Sequence, residues 1–208
     1  MCTNRTIRAL GALTLTVGLG FGLSACGNDD GGTETTSQTV STTEHNDADV
    51  AFATEMLQHH AQALSMVDLT IDRALDPEVQ QLAEEIRDAQ GPEIETFTDW
   101  LTDWDEEIPE TMRDHVNSGH DMDDMGGSMD EENMPGMMTS EDMGALEDAS
   151  DDEFQTMWLE MMIEHHEGAV EMAEAQTRDG RFEPAVELAD DIIASQSAEI
   201  ETMEELLG

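Results

Sequence analysis

The chain has no tyrosine, no lysine and two cysteines. Each absence narrows what it can be. The cysteines stand at positions 2 and 26, around a segment that reads as an export signal. Arg5 and Arg8 give a short basic start, Ala9 to Leu23 form an apolar run, and Leu23-Ser24-Ala25-Cys26 closes it. The run is too short and wrongly flanked for a membrane span, so residues 1–25 are expected to be a signal peptide. Leu-Ser-Ala-Cys has the form of a bacterial lipobox, which makes Cys26 the expected lipidation site and first mature residue. Cys2 then leaves with the signal, so the folded part has no thiol, disulfide or Cys metal ligand. That suits an oxidising compartment, and any soft ligand must be Met or His.

Basic residues are equally scarce. Removing 25 of 208 residues leaves 183, with five Arg against 50 Asp and Glu, a formal charge of −45. Nucleic acid is excluded as a partner by repulsion. Cations are attracted, but solubility or high-salt adaptation explains such charge equally well. Methionine is the more telling excess. The mature chain has 15 Met and 11 Leu, whereas Leu is ordinarily among the commonest residues.

Residues 26–46 are rich in Thr, Ser, Gly and Asp and read as a flexible tether from the lipid. Beyond them the sequence repeats. A shift of 106 aligns 55–101 with 161–207 without a gap, and 14 of 47 positions are identical. They include Met56/Met162, His59/His165, His60/His166, Ala63/Ala169, Met66/Met172 and Gln90/Gln196, and the run Glu93-Ile94-Glu95-Thr96 recurs as Glu199-Ile200-Glu201-Thr202. A gapless match of this length marks a duplication. Each half reads as two helices. Asn46 or Asp47 caps the first, whose apolar residues are Phe52, Met56, Ala63, Val67 and Ile71. Asp76-Pro77 starts the second, with a kink expected at Gly91-Pro92. The second half starts its helices near Ser150 and Glu183, with Asp179-Gly180 as a stop. The expected fold is all-α, an antiparallel four-helix bundle over 47–208 built from two helical hairpins. Repeat 1 spans 47–107, a Met/His/Asp-rich loop 108–145, and repeat 2 146–208. A short helix near Ser140–Asp148 closes the loop.

At about 3.6 residues per turn, Met56, His59, His60, Ala63, Met66 and Val67 share one helix side, and the repeat places Met162, His165, His166, Ala169, Met172 and Ala173 identically. Met56 and His59 are about 4.5 Å apart along the axis and could share one metal, whereas Met66 lies about 10.5 Å beyond His59. Met66 and Met172 therefore serve a second metal or pack, as Met often does. Adjacent His on a buried face are costly unless each nitrogen has a partner. The same pair occurring twice, each following a Met, points to metal or another specific polar role, with His59 and His165 foremost. A di-iron bundle needs Glu three residues before each His. Met56 and Met162 stand there instead, which turns the chemistry from iron towards soft Cu(I). Zinc fits less well, preferring His, Cys and carboxylate.

The loop adds His115, His120, Met122, Met125, Met129, Met134, Met137 and Met138. Met two to four residues apart can wrap Cu(I) with three thioethers. Such ligands carry no proton to displace and so work in acid. No EF-hand spacing is present for Ca²⁺.

Met162-Ile163-Glu164-His165-His166-Glu167-Gly168-Ala169-Val170-Glu171-Met172-Ala173, Met134-Pro135-Gly136-Met137 and Met56-Leu57-Gln58-His59-His60 resemble the bacterial domain of unknown function 305 family, over about residues 47–208. The resemblance implies a ferritin-like bundle, export, and kinship with cyanobacterial periplasmic copper-binding proteins linked to copper resistance. It also implies Met56, His59, His60, Met66, Met162, His165, His166 and Met172 as ligand candidates. Gln58 and Gln62 stand where the second half has Glu164 and Gly168, so the two sites are expected to differ.

The function expected is therefore an exported, membrane-anchored lipoprotein that binds Cu(I), and possible surrogates such as Ag(I), for buffering, resistance or handover to a copper-exchange protein. The competing readings are a metal-dependent oxidase and a helical interaction module without metal.

Overall fold

The computed structural model describes residues 39–111 and 134–208. Among the described residues there are five α-helices: α1 Asp47–Asp68, α2 Pro77–Asp103, α3 Ser140–Asp148, α4 Asp151–Asp179 and α5 Glu183–Leu207. Among the described residues there is no strand, and one isolated bridge joins Ser41 to Phe182. The all-α fold is a bundle of two hairpins, α1–α2 and α4–α5, as the duplication predicts. None of the described helices is long and apolar enough to cross a membrane.

α1 starts at a capping box. The Asn46 side chain accepts from the amides of Ala48 and Asp49, and the Asp49 carboxylate accepts from the Asn46 amide, so three orphan donors at the helix start are satisfied together. The fully buried Asp49 also accepts from Gln176 Nε2 at 2.6 Å and from the Arg181 and Phe182 amides at 3.1 and 3.0 Å. One carboxylate thus ties the start of α1 to the α4–α5 turn. The stretch before it, expected as tether, lies against the domain from Ser41 onward. Ser41 bonds the backbone of Arg181 and Glu183, Glu44 pairs with Arg181, and His45 stacks on Trp104 at 4.5 Å. Its polar composition hid these contacts because most of them are made by backbone and by a single ring.

One helix expectation is corrected. α1 ends at Asp68, so Ile71 lies in the following turn and is 60% exposed. α2 continues through Gly91-Pro92 as one helix. The usual obstacle before a proline is the preceding Cβ; Gly91 has none and faces open space.

α1 and α4 pack against each other in opposite directions. Asp49 meets Gln176, His59 meets His165, and the Trp158 indole donates to the Met66 carbonyl at 3.0 Å. The core divides into two apolar clusters. One holds Phe52, Met56, Phe97, Leu101, Met172 and Ile192. The other holds Met66, Ile86, Met138, Phe154, Trp158 and Met162. The four histidines of the repeated motif fall in sequence between the residues of the two clusters.

Candidate metal centre

His59, His60, His165 and His166 are all fully buried. Helical spacing explains this, because each pair lies on the inward side of its helix: His59 and His165 face each other across α1 and α4, while His60 and His166 turn to the second helix of their own hairpin. The His59 and His165 rings have centroids 3.8 Å apart and planes tilted by 43°. His165 and His166 have centroids 6.3 Å apart. A polar layer of imidazoles therefore crosses the middle of an apolar bundle.

The outer partners differ. His60 Nε2 meets Glu93 Oε2 at 2.6 Å, and His166 Nε2 meets Glu199 Oε2 at 2.7 Å. His59 Nε2 donates to the Pro135 carbonyl at 3.0 Å. Among the described residues, no hydrogen-bond partner is present for either ring nitrogen of His165, nor for Nδ1 of His59, His60 and His166. Burial lowers the His59 pKa to about 3; the Pro135 bond opposes this and the His60 and His166 rings add to it. Burial, then repulsion from the neighbouring His59, His166 and His60 rings, holds His165 well below the usual value. Both rings are therefore neutral at physiological pH. A buried imidazole nitrogen with no hydrogen-bond partner is costly to leave so, and neutral imidazole is the form that ligates metal.

Thioethers flank the layer on both sides, but not as one helix alone would arrange them. Met56 clusters with Met172 of the other repeat. Met66 clusters with Met162, and Met138 joins them. The axial gap between Met66 and His59 is thus matched by Met66 siding with the opposite repeat. Met56, Met66 and Met162 are fully buried and Met172 is 8% exposed.

Residues 134–138 form a strap over this layer rather than a loose wrap. Pro135 and Gly136 occupy the centre of a turn, with Gly136 at φ +74° and the Met137 amide bonded to the Met134 carbonyl at 3.3 Å. Proline followed by a left-handed glycine is what a type II turn requires. The strap then takes hold of both hairpins. On α1, Gln62 Nε2 donates to the Met138 carbonyl at 2.8 Å, and Gln62 Oε1 accepts from the Met138 amide at 2.7 Å. On α4 it presses on Gly168, where a Cβ would come within 2.0 Å of the Pro135 carbonyl oxygen. Gln62 and Gly168 are the same position of the repeat. Their difference is where the strap breaks the symmetry of the duplication. Met134 and Met137 are half-buried and Met138 is buried.

His115, His120, Met122, Met125, Met129 and Cys26 lie outside the described residues. Among the described residues, no group of three or more His, Cys, Asp or Glu is arranged to hold a metal ion. Two partners escaped the reading of the sequence, Glu93 and Glu199. Their signal was present, since both open the four-residue run that the repeats share.

A family model for the domain of unknown function DUF305 matches residues 49–207. A DUF305 fragment from Deinococcus radiodurans has a crystal structure similar at TM-score 0.65 and 29% identity, covering 78% of this chain and 97% of that one. A DUF305 protein from Streptomyces coelicolor, inferred to be secreted, is similar at TM-score 0.63 and 32% identity, covering 77% and 91%. CopM in its Cu(II)-bound form is similar at TM-score 0.61 and 29% identity, covering 76% and 95%. CopM also has structures with Cu(I), with Ag and without metal. No curated protein matches the chain. With the family model spanning the helical domain from the first turn of α1 to the end of α5, this chain belongs to the DUF305 family.

Proposed function

We propose that the chain is an exported lipoprotein that captures copper as Cu(I), with Ag(I) as a surrogate, for buffering, resistance or handover to a partner protein. The observation that carries this reading is the buried layer of four imidazoles, five of whose eight ring nitrogens lack partners among the described residues and whose flanks are thioethers from both repeats. A polar layer left so unsatisfied in an apolar core is costly, and a soft cation held by imidazole and thioether would offset the cost. His59, His60, His165 and His166 are the nitrogen donors of this reading. Met56, Met66, Met162 and Met172 are the sulfur donors, and Met138 of the strap shares a buried cluster with Met66 and Met162. His115, His120, Met122, Met125, Met129, Met134 and Met137 would serve faster, weaker capture. Lipid at Cys26 would hold the domain at the outer face of the membrane, reached through residues 26–46. CopM, with copper and silver forms at close to 30% identity, supports the choice of metal.

The test is Cu(I) titration against a colorimetric chelator at neutral and acidic pH. Binding of at least one Cu(I) per chain is expected, with loss of a site on joint Met162→Leu and His165→Leu substitution. Less than one ion per chain, or unchanged binding in that variant, overturns the reading.

A further inference from the structure

We propose that Glu93 and Glu199 are positioning residues that hold His60 and His166 as Nε2–H tautomers, so that each ring presents Nδ1 to the cation. The proposal rests on the copper reading above for the cation, but its geometry belongs to the metal-free chain.

A neutral imidazole has one N–H and one lone pair, and the partner of one nitrogen decides the role of the other. A carboxylate only accepts. At 2.6 Å from His60 and 2.7 Å from His166, each carboxylate draws the ring proton to Nε2. The opposite nitrogen, Nδ1, is buried in both rings without a partner among the described residues. A proton there would be a buried donor with nothing to accept it, whereas a lone pair there is a ligand in waiting. Carboxylate behind imidazole, with the far nitrogen free, is the arrangement that orients metal-binding histidines.

The two carboxylates suit the task by position. Their side chains are 19% and 17% exposed while their histidines are fully buried, so water reaches the charge but not the ring. They come from α2 and α5, one helix outside the α1–α4 contact, and the duplication preserved both. His59 follows the same rule with a different acceptor, because its Nε2 bonds the Pro135 carbonyl and its Nδ1 is unpartnered. Three of the four rings therefore commit Nε2 to oxygen.

The experiment labels the histidines of the full, metal-free chain with ¹⁵N and reads the tautomers by NMR at neutral pH, then measures Cu(I) affinity by chelator competition. Wild-type His60 and His166 are expected with the proton on Nε2. In the Glu93→Ala/Glu199→Ala pair the two rings should become tautomer mixtures, and Cu(I) affinity should fall about 10- to 100-fold. Glu93→Gln/Glu199→Gln retains an accepting oxygen, so it should keep the tautomer and lose less affinity. It also decides the matter if the alanine pair does not fold. Glu95→Ala/Glu201→Ala removes two charges from exposed positions of the same runs and should change neither readout. Wild-type rings protonated on Nδ1, or an alanine pair that binds like the Glu95/Glu201 control, would overturn the assignment. A wild-type chain that binds no Cu(I) would overturn the copper reading, while the metal-free spectra would still judge the tautomers.

Discussion

His59 and His165, one from each repeat, stand ring to ring with centroids 3.8 Å apart, and neither reaches water. Two imidazolium ions cannot share that space. The pKa of His59 is about 3 in the folded chain against an ordinary 6.5, so the unfolded chain binds more protons between those values. Its contribution to stability is intact above pH 6.5 and lost as pH falls towards 3; His165 acts in the same direction. Easing repulsion among the carboxylates acts the opposite way, so a comparison is needed. Metal-free wild type should lose stability relative to His59→Leu/His165→Leu as pH falls from 7 to 4, at up to about 3 kcal/mol per pH unit for two groups. Urea unfolding at fixed ionic strength measures the difference, and parallel curves would refute it.

Gly168 is required by the strap. Alanine there would drive a Cβ to 2.0 Å from backbone oxygen, which cannot yield as a flexible side chain would. Gly168→Ala should cost about 1–3 kcal/mol as overpacking. Gly144 lies within α3 in open space, so Gly144→Ala should instead gain about 0.5–1 kcal/mol. Denaturant midpoints of the two variants should move in opposite directions.

Gln62 holds the other end of the same strap. Gln62→Leu would leave the buried amide and carbonyl of Met138 without their partners, each at about 1–3 kcal/mol. Gln58 donates within its own helix, to the Thr54 carbonyl at 3.5 Å, and Gln58→Leu should be nearly neutral. Thermal unfolding of the metal-free variants distinguishes them.

Asp49 joins three chain segments through one buried carboxylate. Asp49→Ala removes the capping box and leaves the Arg181 and Phe182 amides without their acceptor. A loss of at least about 3 kcal/mol is expected. Amide hydrogen exchange should quicken at residues 181 and 182 before it does in the middle of α4.

Copper should stabilise what it binds. At free Cu(I) 100-fold above Kd, linkage adds about 2.7 kcal/mol, so Tm should rise with Cu(I) and fall back on adding a chelator. The Met162→Leu/His165→Leu variant should show a smaller rise. Equal shifts in the two proteins would place the binding elsewhere.

Much of the fold was legible because helices announce themselves locally. The cap at Asn46, the Asp76-Pro77 start, the stop at Gly180 and the apolar spacing all depend on neighbours a few residues away, and duplication supplied each helix twice. The burial of His59, His60, His165 and His166 followed from the same spacing. What spacing could not give was pairing between helices. The placing of Met66 in one buried cluster with Met162 follows from the antiparallel packing of α1 and α4. Glu93 and Glu199 were visible as repeated residues, yet nothing local aims a carboxylate at an imidazole 33 positions away. The strap was hidden most deeply. A Met-rich stretch rich in Asp and Gly reads as loose chain, and only the contrast of Gln62 with Gly168 hinted that something crosses there.

The contact between His59 and His165 also bears on ancestry. A single hairpin carries His59 and His60 without the rings that face them, and it lacks the indole that closes the Met66 carbonyl. An ancestor made of one hairpin would have completed its imidazole layer only by meeting a second copy of itself. Duplication then joined two half-sites into one chain and made their encounter independent of concentration. Once joined, the halves were free to diverge, and the glutamine and glycine beneath the strap record that divergence.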